Sequence, residues 1–130
     1  MSFSYPKLHK LKSKKSIDLL FTKGKSVSKY PLRLVYAVAE EQHMDGEMMK
    51  MGVSVSKKYF KHAVDRNYFK RILRETYRLN QHLLRESLKE PYIFMFFYQT
   101  KERLSYAEIE QKTIQLFEKW TAEISKQSTK

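Results

Sequence analysis

Residues 49–78 read MKMGVSVSKKYFKHAVDRNYFKRILRETYR, and within them the hydrophobic period changes from two to 3.6. Met49, Met51, Val53 and Val55 alternate with Lys50, Gly52, Ser54 and Ser56, which predicts a strand with one apolar face and one small, polar face. Residues 57–62 then lead into a helix that starts near 63–65 and is expected to run to 87–89, just short of Pro91. On a helical wheel with Arg66 at zero, Lys70, Arg74, Arg78, Arg71 and Arg85 fall between roughly 40° and 140°, with Asn67 and Gln81 among them. Phe69, Ile72, Leu73, Thr76, Leu79, Leu83 and Leu84 take the opposite arc. Like charges at 66, 70, 74 and 78 repel along one row, whereas a merely solvated face would interleave both signs. The arrangement calls for an external polyanion.

Composition points the same way. The chain has 130 residues, enough for one domain, and 26 Lys and Arg against 14 Asp and Glu give a net charge of +12. Nucleic acid is the first partner class this suggests, and an anionic membrane surface the second. The apolar face of the helix is wide enough to be needed inside a core, which argues against the membrane. The absence of cysteine excludes disulfides, thiolate metal sites and cysteine nucleophiles. With no apolar run near the ~18 residues of a membrane span and no secretory signal pattern, elimination gives a cytoplasmic protein.

Around the central stretch the sequence divides into a basic N-terminal arm over 1–15, a single RNA-binding domain over 16–124 and a polar tail over 125–130. The arm carries Lys7, Lys10, Lys12, Lys14 and Lys15. Ser16 is placed to cap a short helix through Phe21, ended by Gly24, with Ile17, Leu20 and Phe21 inward. Residues 32–38 alternate as a strand, Leu32, Leu34, Tyr36 and Val38 on one side and Arg33, Val35 and Ala37 on the other. A polar turn over 40–47 joins it to the strand at 49–55, and the two are expected to pair antiparallel. YIFMFFY at 92–98 reads as a buried strand, and Ser105 with Glu108 forms a capping box for a last helix whose Tyr106, Ile109, Thr113, Leu116, Phe117 and Trp120 share a face. The fold class is α+β, helices packed on a small sheet.

Own catalytic chemistry is hard to find. Three glycines rule out both GxGxxG and GxxxxGK[ST] phosphate loops. His9, His43, His62 and His82 lack metal-ligand spacing, and Asp65 reads as a helix-start residue. What the chain offers instead is cations for phosphates, amides and hydroxyls for bases or sugars, and rings for stacking. Ser54, Ser56, Lys57 and Lys58 leave the strand where the basic helix begins and converge with Arg66, Asn67 and Lys70, while Phe21 and Tyr36 are candidates to line an adjoining groove.

The segment VSVSKKYFKHAVDRNYFKRILRE, residues 53–75, resembles the protein component of bacterial ribonuclease P. The basic arm, a helix ending in LFTKG, the strand LRLVY and a capped last helix extend the likeness over most of the chain. The resemblance implies a two-layer α+β sandwich like ribosomal protein S5 domain 2, with a left-handed strand-helix-strand crossover. It also implies that a large RNA subunit with bound Mg²⁺ hydrolyses the phosphodiester that frees the 5′ leader of precursor tRNA. On that resemblance the protein is expected to build no metal site of its own and to act on no small-molecule substrate. By position, Arg66, Asn67, Lys70, Arg71 and Arg74 match residues expected on the RNA subunit, and Arg78 extends their stripe. Phe21, Tyr36, Ser54 and Lys58 match the expected leader cleft, to which Ser56 and Lys57 at the strand end are added. Tyr68 departs from the pattern, standing where the family usually has a second arginine, and Lys101 is all that remains of a basic pair that often follows the aromatic strand. A ribosomal or other structural RNA-binding protein is the alternative; an independent nuclease, lacking a carboxylate or histidine cluster, is weaker still.

Overall fold

The computed structural model describes residues 14–40, 42, 44 and 46–128. Helix α1 (Lys14–Lys23) leads into strands β1 (Lys25–Lys29), β2 (Leu32–Val38) and β3 (Met49–Val55). Helix α2 (Ala63–Asn80) and the single turn α3 (His82–Arg85) precede β4 (Tyr92–Tyr98), and α4 (Tyr106–Ser128) ends the chain. Lysines 7, 10 and 12 of the basic arm lie outside the described residues; Lys14 and Lys15 already belong to α1, and α4 continues into the segment read as a tail.

The four strands lie in the order β1-β2-β4-β3. The expected pairing of the strands at 32–38 and 49–55 is therefore incorrect: β4 comes between them, antiparallel to β2 and parallel to β3. The reason is in the side chains. β4 is apolar on both faces, with Tyr92, Phe94, Phe96 and Tyr98 toward one and Ile93, Met95 and Phe97 toward the other, so it belongs at the centre. β3 has only one strongly apolar face and takes the edge. The connection from β3 to its parallel neighbour β4 must then cross over the sheet, and α2 with α3 makes that crossover.

α2 and α4 cover one face of the sheet. Trp120 of α4, fully buried, meets Tyr36, Tyr92 and Phe94 edge-on at centroid distances of 5.9, 5.5 and 5.3 Å. Phe60, Phe69 and Tyr98 stack beside them, with centroids 4.7 Å apart for Phe60 and Phe69 and 4.6 Å for Phe69 and Tyr98. Between the helices, the buried Thr113 hydroxyl lies 3.2 Å from that of Thr76, and each hydroxyl also reaches a carbonyl of its own helix. The Ser105–Glu108 capping box forms as read: the Ser105 N–H donates to Glu108 Oε1 at 3.1 Å and the Glu108 N–H to Ser105 Oγ at 3.2 Å.

α1 packs on the opposite face through Leu20, which joins Val35, Ala37, Ala39, Met44 and Ile93 in a second cluster. The helix starts two residues before Ser16, which is buried within it, and Phe21 is 68% exposed, so the inward assignment holds for Leu20 but not for Phe21. At 100° per residue, adjacent positions cannot both face the sheet squarely, and Leu20 takes it. β1 was not read from the sequence; KSVSK buries only Val27 and pairs with β2 as a hairpin whose turn includes a cis Tyr30–Pro31 bond.

The basic helix also stops sooner than expected. At Asn80 and Gln81 the side-chain amides donate to the carbonyls of Thr76 and Arg78, at 2.8 and 3.1 Å, the second being the acceptor that the His82 N–H would take in a continuous helix. The chain resumes only as the four-residue α3.

Gly24 alone separates α1 from β1, and its N–H bonds the Leu20 carbonyl at 3.0 Å. A Cβ there would stand 2.1 Å from that carbonyl oxygen and 2.9 Å from Val35 Cγ1. Gly24→Ala is expected to cost about 1–3 kcal/mol through this overpacking, measured as a lower midpoint in urea with an unchanged slope.

A basic helix face beside an open sheet face

Burying Phe69, Ile72, Leu73, Thr76 and Tyr77 against the sheet and α4 turns the other side of α2 outward. Asn67, Arg71 and Arg74 are exposed and Lys70 half-buried, and none of the four side chains has a hydrogen bond or ion pair with another described residue. Lys70, Arg71 and Arg74 form an uncompensated cationic row that Asn67 extends with an amide.

Its two ends differ from the middle. Arg66 Nη1 donates to the carbonyls of Phe60 and Lys61 at 3.0 and 2.8 Å, tying the 57–62 turn to the first turn of α2. His62 provides no side-chain cap, so this bridge and Asp65 in the first turn organise the helix start. Arg78 grips Glu75 with two nitrogens, Nε at 3.1 Å from Oε2 and Nη2 on Oε1. That hydrogen bonding holds the Glu75 carboxyl below its usual value and raises the Arg78 guanidinium. Arg78 is thus partly neutralised, which the wheel could not foresee because it placed Glu75 off the stripe.

The second surface is the part of the sheet that α1 leaves uncovered. Register places Arg33 of β2, Phe97 of β4 and Ser54 of β3 in one transverse row, all on the face toward α1. Phe97 and Ser54 are half-buried and Arg33 exposed, so a cation, a ring and a hydroxyl stand side by side. Met95 and Phe97 pack on the rim of the cluster beneath α1, from which Phe21 projects into solvent. The sequence held a signal for Phe97 and Arg33: both carry odd residue numbers in their strands, opposite the even-numbered face committed to α2 and α4.

That same parity turns the Tyr36 ring to the other face. It is 4% exposed, pairs across with Phe94 and packs on Trp120, so it lies on the helix-covered face and not beside Ser54. Its ring packs in the core, while the residue also lines, with Leu19, Lys23, Lys25 and Tyr92, a cavity beside α1. The two surfaces meet at the end of β3, where Ser56 Oγ accepts the Lys58 N–H at 3.0 Å, Lys57 is exposed and Lys58 Nζ lies 5.6 Å from the Tyr59 ring. Ser54, Ser56, Lys57 and Lys58 thus lead along the chain into the turn that Arg66 braces.

Among the described residues, no group of three or more His, Asp and Glu side chains is placed to hold a metal ion, and no helix is long and apolar enough to cross a membrane. The surface combines an outward cationic row with rings and hydroxyls on the open face of the sheet.

Residues 5–121 match the family model for ribonuclease P. The chain belongs to the ribonuclease P protein family. It is 42% identical over 93 residues to the ribonuclease P protein component of Porphyromonas gingivalis, a match that covers 72% of this chain and 66% of that relative. It is 33% identical over 114 residues to the ribonuclease P protein component of Clostridium botulinum, covering 87% and 95%. The fold is similar to the RNase P protein of Staphylococcus aureus, with a TM-score of 0.69 at 18% identity over 86% of this chain and 94% of that one. It is similar also to that of Thermotoga maritima, with 0.67 at 20% over 85% and 96%. The family's α+β architecture, including the β3–α2–β4 crossover, is thus the architecture of this chain.

Two measurements test the division of labour on α2. Arg66→Ala is expected to lose about 1–3 kcal/mol of stability with its two charged hydrogen bonds, while Arg74→Ala stays within about 0.5 kcal/mol of the parent; equal midpoints in denaturant would deny Arg66 its bracing role. For the pair at 75 and 78, a depressed carboxyl stabilises the fold above its unfolded pKa and loses that contribution as pH falls through the folded one. Glu75→Gln is therefore expected to flatten the decline of melting temperature on acidification below pH ~5.

Proposed function

We propose that this chain is the protein subunit of a cytoplasmic ribonuclease P ribonucleoprotein, and that it assists an RNA subunit in removing the 5′ leader from precursor tRNA. The observation that carries the reading is the uncompensated row Asn67, Lys70, Arg71 and Arg74, turned outward in a member of this family. In the proposal that row, with the outer faces of Arg66 and Arg78, lies along the RNA subunit. Each phosphate neutralised there releases condensed counterions, so affinity falls steeply with salt.

The leader takes the other surface. Ser54, Ser56, Lys57 and Lys58 with Phe21, Arg33 and Phe97 offer ammonium and guanidinium groups to its phosphates, rings to its unstacked bases and hydroxyls to its sugars. Because the two surfaces join at the end of β3, one protein can hold the leader against the RNA subunit. Mg²⁺, coordinated by phosphate oxygens of the RNA, supplies the hydrolytic chemistry when bound. The protein's cations act alongside it by lowering the repulsion between RNA strands that must approach one another.

Cleavage of a precursor tRNA at low Mg²⁺ by the RNA subunit from the same genome, with and without this protein, tests the reading. Correct 5′ processing restored by the protein is expected; tight RNA binding without restored processing would instead identify a structural RNA-binding protein. Phe97→Ala is expected to weaken binding of leader-bearing precursor by about tenfold and to leave mature tRNA binding unchanged, measured by direct titration of each.

A further inference from the structure

One flank of α2 bears a constructed group that neither surface uses. Tyr98 of β4 ends in a hydroxyl that donates to the Glu102 carbonyl and accepts the Leu104 N–H at 3.1 Å, so the chain is gripped on both sides of Arg103. The Glu102 N–H is held in turn by Thr100 Oγ1 at 3.1 Å. Arg103 extends from this anchored loop over the Phe60, Phe69 and Tyr68 rings, its guanidinium carbon 5.8, 5.3 and 5.9 Å from their centroids. Nη1 bonds Asp65 Oδ1 at 3.0 Å.

Such fixing removes rotamer freedom from a long side chain before any ligand arrives. Yet the Arg103 side chain remains 56% exposed, and among the described residues its Nε and Nη2 have no acceptor. Beside it, Tyr68 is 42% exposed, its edge against Phe69 and its hydroxyl without a partner among the described residues. A ring and a guanidinium so exposed, next to each other and already oriented, are unusual for groups whose only task is to close a core.

We propose that Tyr68 and Arg103 form a second RNA contact that takes one unpaired nucleotide, Arg103 on its phosphate and the Tyr68 ring against its base. The inference rests on the RNA-binding reading above and extends it to the flank of α2 beside the row. Tyr68 and Arg71 are i,i+3 neighbours, so the contact is continuous with the row and an RNA strand crossing Arg71 reaches Tyr68 next. Asp65 leaves the guanidinium two of its three nitrogens for a phosphate. The occupant is RNA because the surrounding charge of the chain, +12, favours a polyanion and a bare ring favours an unstacked base.

The two halves of the contact separate in a salt series of full-length protein binding to the RNA subunit. Arg103→Ala is expected to reduce the slope of log affinity on log salt by about one unit, and Arg103→Lys to retain the slope. Tyr68→Ala is expected to weaken binding by about tenfold with the slope unchanged, since stacking releases no counterions; Tyr68→Phe keeps the affinity. Parental slope in Arg103→Ala, or parental affinity in Tyr68→Ala, overturns the inference, and circular dichroism of each variant excludes misfolding as the source of a loss. Arg74→Ala discriminates the two levels: if it too leaves the slope unchanged, the RNA-binding reading of α2 fails, whereas a lower slope there with no effect at 68 and 103 rejects this contact alone.

Discussion

The burial of β4 on both faces governs the rest of the molecule. A strand reading YIFMFFY is apolar on both sides, so it needs neighbours left and right and cover over much of both faces. β2 and β3 flank it, α2 and α4 cover one face and α1 part of the other. Placing β4 between β2 and β3 makes β3 an edge strand and sends the following helix over the sheet. The apolar arc of α2 meets β4's aromatic side chains there, which leaves its cationic arc facing solvent. The position of the charges follows from the position of one uncharged strand.

Much of this was legible in the residues. The strands at 32–38, 49–55 and 92–98, the start of α2 and the capping box of α4 all follow from period, turn residues and end signals that act locally. What local signals could not give was neighbourhood. Sequential strands pair often enough that β2 with β3 was the natural expectation, and only the two-sided burial of β4 overrides it. β1 escaped because an edge strand that buries one valine in five residues has almost no hydrophobic period. The early end of α2 depends on side-chain amides choosing backbone acceptors, a contest invisible to a wheel.

The sites were legible to the same degree and for the same reason. Cationic positions on a helix face are fixed by helical geometry, and Asn67, Lys70, Arg71 and Arg74 lie where the wheel put them. Their partners are not fixed by it: Arg66 braces a turn and Arg78 holds a carboxylate, so six equivalent positions become four open groups and two committed ones. For the aromatics the deciding variable was strand parity. Tyr36 and Phe97 are both rings in β-strands, but one falls on the even face under Trp120 and the other on the odd face beside Ser54.

The junction at Gly24 has a mechanical consequence. With a single residue between α1 and β1, and that residue pressed on Leu20 and Val35, there is no loop about which the helix could swing away from the sheet. The groove beside α1 therefore has a preset width. In the proposed role, a leader strand would meet a wall whose hinge is a single crowded residue, so most of the ordering cost would fall on the strand.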